Sequence, residues 1–156
     1  VSAPRLEIYV APAVERVIDD LRGKRLGLGD ALRELARDPC SAELDARRLS
    51  GPLAPVVCGI HLSRGYRLAF SVQPKTKVHT ARVVVLYVGK RDTRRRVRDI
   101  WEVLHDLFGV ENPPDEHDRP PCCEDGMPNI GETELDDFMD RLRRLLRGRK
   151  TPSEGD

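Results

Sequence analysis

The sequence predicts an α+β fold: a small antiparallel sheet with two N-terminal helices and a third helix after it, plus an extra helical tail. Three observations carry this. Tyr66 to Val72 alternates side-chain character with period two, and Arg82 to Val88 is a β-branched apolar run that stops at Gly89; both are strand patterns. Helical spacing of apolar residues appears twice before these runs and twice after them. At 156 residues the chain is the size of one domain, or of one small domain with an extension.

Taken in order, Arg5 to Val10 is a short candidate strand. Pro12 suits the first turn of a helix, and Val14, Val17, Ile18 and Leu21 follow on one face, with an end near Gly23. The Gly23–Gly29 stretch, GKRLGLG, is a helix connection; its spacing does not match a phosphate-binding loop and no strand precedes it. A second helix is predicted from about Leu28 to Arg37, with Leu28, Leu32, Leu35 and Ala36 on one face, and Asp38-Pro39 stops it. Cys40 to Pro55 is expected as a loop. Val56–Leu62 and Tyr66–Gln73 form a hairpin around Ser63-Arg64-Gly65. Pro74 to Thr80 is a polar loop before the Arg82–Val88 strand. A third helix is expected from Arg94 to Phe108, its stripe formed by Val97, Ile100, Trp101, Leu104, Leu107 and Phe108. His105 is expected to be partly exposed on it.

The composition changes after residue 110. Residues 1–110 hold 20 Lys/Arg against 13 Asp/Glu, and residues 111–156 hold 7 against 13. A basic body with an acidic tail points to a polyanionic partner for the body, or simply to solubility. The predicted organisation is a body at 1–110, an acidic Pro-rich linker at 111–131 expected to be poorly ordered, an amphipathic helix at 132–150 and a disordered end at 151–156. Thr133 is the expected cap of that helix, and Leu135, Phe138, Met139, Leu142, Leu145 and Leu146 its apolar face. Such a stripe needs a partner: the body, a second copy or another protein.

No apolar run reaches the ~18–20 residues of a membrane span, and the first residues do not read as a secretory signal. A cytoplasmic chain with reduced cysteines is therefore the expectation. Cys58 reads as a small core residue. Adjacent Cys122 and Cys123, with His117 nearby, are poorly spaced for a structural zinc site; no metal or cofactor is expected.

Cations gather near the strand ends: His61, Arg64, Arg67, Lys90 and Arg91, followed by Arg94, Arg95 and Arg96. Sheet geometry can bring such residues to one face and so build a site for a phosphate backbone. They can equally be surface charges, and Arg67 or Arg91 can pair with Asp92 or Asp99.

The element order and four local motifs resemble the RelE/ParE superfamily of bacterial type II toxins. Asp38-Pro39 looks like that family's break after the second helix, Arg48-Leu49-Ser50-Gly51 like its "rLxG" loop, Gly65-Tyr66-Arg67-Leu68 like its "GYRL" strand start, and Val88-Gly89-Lys90-Arg91 like its "vGkR" strand end. The resemblance spans about residues 5–108 and implies a RelE-like fold. It also implies metal-independent mRNA cleavage on the ribosome, in which the 2′-hydroxyl attacks the adjacent phosphate. His61, Arg67 and Arg91 are then the catalytic candidates: His61 as base, the arginines as phosphate clamps. Arg64, Lys90, Arg94, Arg95 and Arg96 are the RNA-binding candidates. The implied partners are mRNA, the ribosome and a cognate antitoxin. Asp92 to Val97 contains no aromatic where many RelE-type nucleases carry one, which leaves the general acid unassigned. The alternative is a ParE-like or catalytically inactive member that binds a protein such as DNA gyrase, or RNA, without cleavage. For the tail, the expectation is that its helix folds back on the body and that acids from Asp115 to Asp125 approach the cationic face.

Overall fold

The computed structural model describes residues 6–92, 98–111, 113 and 119–148. The chain is α+β, in the order β1 (Glu7–Val10), α1 (Pro12–Asp19), α2 (Leu28–Arg37), β2 (Arg47–Arg48), β3 (Cys58–His61), β4 (Tyr66–Gln73), β5 (Arg82–Lys90), α3 (Ile100–Phe108) and α4 (Glu132–Arg147). The expected order of strand, two helices, three strands and helix is therefore present, with the two-residue β2 added.

The five strands lie in the order β1-β5-β4-β3-β2. The β2–β3, β3–β4 and β4–β5 pairs are antiparallel, but β1 pairs parallel with β5. The sheet is thus mixed, because the chain runs from β1 through both helices before it reaches β5. Val83 to Leu86 are fully buried, as a continuous β-branched run in a central strand requires. β2 replaces part of the expected Cys40–Pro55 loop.

Arg5 and residues 93–97 lie outside the described residues. Within them, α3 starts later than the sequence pattern predicts. Asp99 is its cap, with its side chain accepting from the Trp101 amide. Its first turn carries Glu102, an acid where the helix dipole favours one. His105 is only 2% exposed, against expectation: α3 packs on the sheet on one side and on α4 on the other, so positions between its core residues are buried too.

The fourth helix folds back on the body. Leu135, Phe138, Met139, Leu142 and Leu146 are buried, Phe138 packs on Phe108 with ring centroids 4.7 Å apart, and α4 contacts both α3 and α1. Arg141 Nη1 donates to Leu107 O at 3.1 Å, where the C-terminal end of α3 welcomes a cation. The cap of α4 is Gly131 rather than Thr133; the Gly131 amide donates to Glu134 Oε1 at 3.3 Å, the reciprocal half of a capping box that needs no cap side chain.

The described second half of the expected linker is tied down. Arg48 N donates to Pro120 O, Cys122 N to Ala46 O, Asn129 N to Pro55 O and Ile130 N to Val72 O. Two disulfides fasten it, Cys40–Cys123 and Cys58–Cys122. The cysteines are therefore neither reduced nor, in the case of Cys58, a bare core residue. No helix among the described residues is long and apolar enough to cross a membrane.

Candidate functional site

Strand register sorts the cationic candidates by face. In β3–β4, His61 pairs with Arg67 and Gly59 with Ala69; in β4–β5, Arg67 pairs with Gly89, Ala69 with Tyr87 and Tyr66 with Lys90. Paired residues share a face, and neighbours along a strand alternate. His61, Gly59, Arg67 and Gly89 therefore lie on one face. Lys90 lies on the other, together with Tyr66, and is not part of the cluster. Arg91 continues from Gly89 just beyond the strand, its amide donating to Gly65 O at 2.8 Å. Arg64 lies in the β3–β4 turn at φ 62°, exposed and away from the strand face. Arg94, Arg95 and Arg96 lie outside the described residues.

The start of α3 sits on this face. The two glycines make room for it: a Cβ at Gly59 would come within 2.6 Å of Trp101 Cη2, and one at Gly89 within 3.3 Å of Ile100 Cβ. Trp101 thereby becomes the floor beside the cluster. The Arg91 guanidinium lies 5.9 Å from the indole centroid, and a second guanidinium, that of Arg119, lies 5.3 Å from the same centroid. Both distances suit cation–π attraction. The Trp101 Nε1 donor is buried without a partner among the described residues.

Arg91 is committed on one side. Its Nη1 lies 2.6 Å from Asp99 Oδ2, and the two side chains are only 16% and 7% exposed. Asp99 Oδ1 also accepts from the Asp92 amide at 2.7 Å. This is the pairing that the sequence leaves open. Arg67 Nη1 donates to its neighbour's carbonyl, Tyr66 O, at 3.0 Å.

Burial pushes the His61 imidazole below its ordinary value, and the Arg67 charge adds to this; Asp45 acts in the opposite sense, while Arg119 and Arg47 reinforce the lowering. His61 is thus neutral at pH 7 and able to accept a proton. Arg67 is likewise held below the ordinary guanidinium value by burial, then by Arg91 and Arg119, with Asp99 opposing. The lowering records burial first and the convergence of like charge second, and makes no usable proton donor, since arginine stays charged at neutral pH.

His61 also forms part of the wall of an open groove of about 740 Å³ between α2 and β3. The groove's Arg33 and Arg37 are engaged by Asp30 and Glu34 on the same helix. No group of His, Cys, Asp and Glu that could hold a metal occurs among the described residues.

Arg119 is the functional candidate that sequence reasoning misses. It lies in the stretch read as acidic, and the described part of that stretch brings a cation to the face instead. Asp115 and Asp118 lie outside the described residues; Glu124 and Asp125 are exposed beyond the disulfides. The available signal was Cys122-Cys123: adjacent cysteines that both find partners in the body must draw residue 119 onto it.

No family model matches the chain, and no curated protein matches it. Among solved structures it is similar to a chain described as "YoeB/ParE toxin from Agrobacterium tumefaciens", at 13% identity and a TM-score of 0.47, over 56% of this chain and 100% of that one. A likeness at that level carries no function across.

Proposed function

We propose that the chain is a RelE-like toxin of a type II toxin-antitoxin system, acting in the cytoplasm as a metal-independent endoribonuclease on ribosome-bound mRNA. The observation that carries this reading is the cross-strand pair His61 and Arg67, with Arg91 on the same side of the sheet. A neutral imidazole beside two arginines supplies two of the three things that 2′-hydroxyl attack requires. His61 takes the proton from the hydroxyl, and the guanidiniums hold the charge that develops on the phosphate. Protonation of the leaving oxygen has no assigned residue. A cognate antitoxin belongs to the same reading.

One observation favours a second reading, in which the chain binds RNA or a protein such as DNA gyrase without cutting. Arg91 is held by Asp99 at the cap of α3, a structural role that needs no substrate.

Inducible expression of the whole chain in a bacterium, with primer extension on a reporter mRNA, separates the two. In-frame cuts that vanish with Arg67→Ala or His61→Gln support the nuclease. Growth arrest without cuts supports the second reading and sinks the first.

A further inference from the structure

Arg119 reaches the Trp101 face because the residues after it are bolted to the body. Residues 120–122 run beside β2, bridging Arg47 to Pro121. Arg47 Nη1 donates to Arg119 O at 3.2 Å. Cys122 is then bonded to Cys58 in β3, and Cys123 to Cys40 beyond α2. Backbone bonds from Arg48 N to Pro120 O and from Cys122 N to Ala46 O also hold this segment, and the disulfides add the covalent constraint against the conformational entropy it regains on release.

Two guanidiniums over one indole, with Arg67 close enough for its own charge to feel both, repel one another. Asp99 offsets part of that charge at Arg91, and an anion bound at this face adds to the compensation. The Arg119 guanidinium, 5.3 Å from the indole centroid, has the planar fork that suits paired contacts to phosphate oxygens.

We propose that Arg119 is a third phosphate-binding arginine of the site and that the two disulfides hold it there, so that the oxidised chain binds RNA more tightly than the reduced one. This rests on the RNA-binding reading of the same face. The redox step is ordinary thiol–disulfide exchange: each disulfide takes two electrons and two protons from a dithiol, which itself closes to a disulfide, and four thiols result on the chain. Cys40 is exposed and Cys123 half-buried, whereas Cys58 and Cys122 are buried, so the outer bridge opens first. A groove of about 420 Å³ lined by Cys40, Pro121, Cys122 and Cys123 admits the reductant.

The test is binding of the full chain to a fluorescent single-stranded RNA oligonucleotide, with and without dithiothreitol. The variants are Arg119→Ala, Arg119→Lys, Arg67→Ala and Cys40→Ser/Cys123→Ser, each checked for native circular dichroism. In the oxidised chain Arg119→Ala is expected to weaken binding about tenfold. It should also reduce the slope of log K against log salt by roughly 0.7, one phosphate contact on a single strand. Arg119→Lys recovers part of the loss. Dithiothreitol weakens the unmodified chain by a similar factor and leaves Arg119→Ala unchanged. If Arg67→Ala weakens binding and Arg119→Ala does not, Arg119 is outside the site and the proposal falls while the RNA reading stands. Tighter binding by Arg119→Ala makes the segment a cover instead, which also overturns it. Equal binding with and without dithiothreitol, where mass spectrometry shows four free thiols, removes the role of the disulfides. If neither Arg67→Ala nor Arg119→Ala changes binding, the RNA reading and the proposal fall together.

Discussion

Arg91 and Asp99 form a nearly buried ion pair, 2.6 Å between Nη1 and Oδ2, and the same carboxylate caps α3 through the Trp101 amide. One side chain therefore fixes both a candidate phosphate clamp and the helix that floors the site. Asp99→Ala takes the carboxylate away from a nearly buried guanidinium and leaves the helix without its capping side chain. The expected cost is about 3–5 kcal/mol in urea unfolding. The double substitution Arg91→Met/Asp99→Asn, which keeps a capping side chain and removes both charges, should recover most of it. Equal losses in the single and double variants would mean that the pair contributes nothing beyond the cap.

Gly59 sits directly beneath the indole. The added methyl of Gly59→Ala meets Trp101 Cη2 at 2.6 Å, and the neighbouring sheet leaves little room to relax. The expected loss is about 1–3 kcal/mol. Trp101 is the chain's single tryptophan, so its fluorescence reports the displacement without ambiguity. An unchanged emission maximum together with unchanged stability would show that the indole is not packed on β3.

His61 gives a pH dependence of known sign. Its pKa is lowered on folding, chiefly by burial and then by Arg67. The folded chain thus binds fewer protons than the unfolded one just below the ordinary imidazole value of about 6.5. The stability this represents is complete above that value and is lost as pH falls through the lowered one. His61→Gln should flatten that part of the stability curve. On the proposed reading the rate of RNA cleavage is level above pH ~6.5 and falls at lower pH with a midpoint under that value. A midpoint above it would remove His61 as the base.

Phe138 is fully buried against Phe108. Phe138→Ala is expected to cost about 3–5 kcal/mol, and deletion of residues 132–147 to abolish the cooperative unfolding transition. A helix that acted only as a detachable inhibitor would leave the transition in place and raise toxicity. Its five buried residues instead make α4 part of the core, so on the proposed reading truncation should lower toxicity by removing the fold.

The long elements were legible because each has a period. β4 and β5 alternate or run β-branched, and α4 carries its stripe over sixteen residues. β2 has two residues, too few for any period. The parallel β1–β5 pairing lies between strands far apart in sequence, and nothing local encodes it. The pairing of His61 with Arg67 follows from a tight hairpin, and the same alternation, counted from Gly89, places Lys90 on the opposite face from Arg91. The disulfides were hidden because they join residues 83 and 64 apart. Adjacent cysteines read alone give no partner, and the surrounding acids drew attention away from Arg119. The partner of the α4 stripe was open for the same reason: a stripe states that it must be covered, not by what.

α4 rests on α1, more than a hundred residues earlier in sequence. A ribosome delivers α1 long before α4, so this contact of the core waits for more than a hundred further residues to be made. The strands of the sheet and the Trp101 face are thus all synthesised before the helix that packs on α1 and α3 exists.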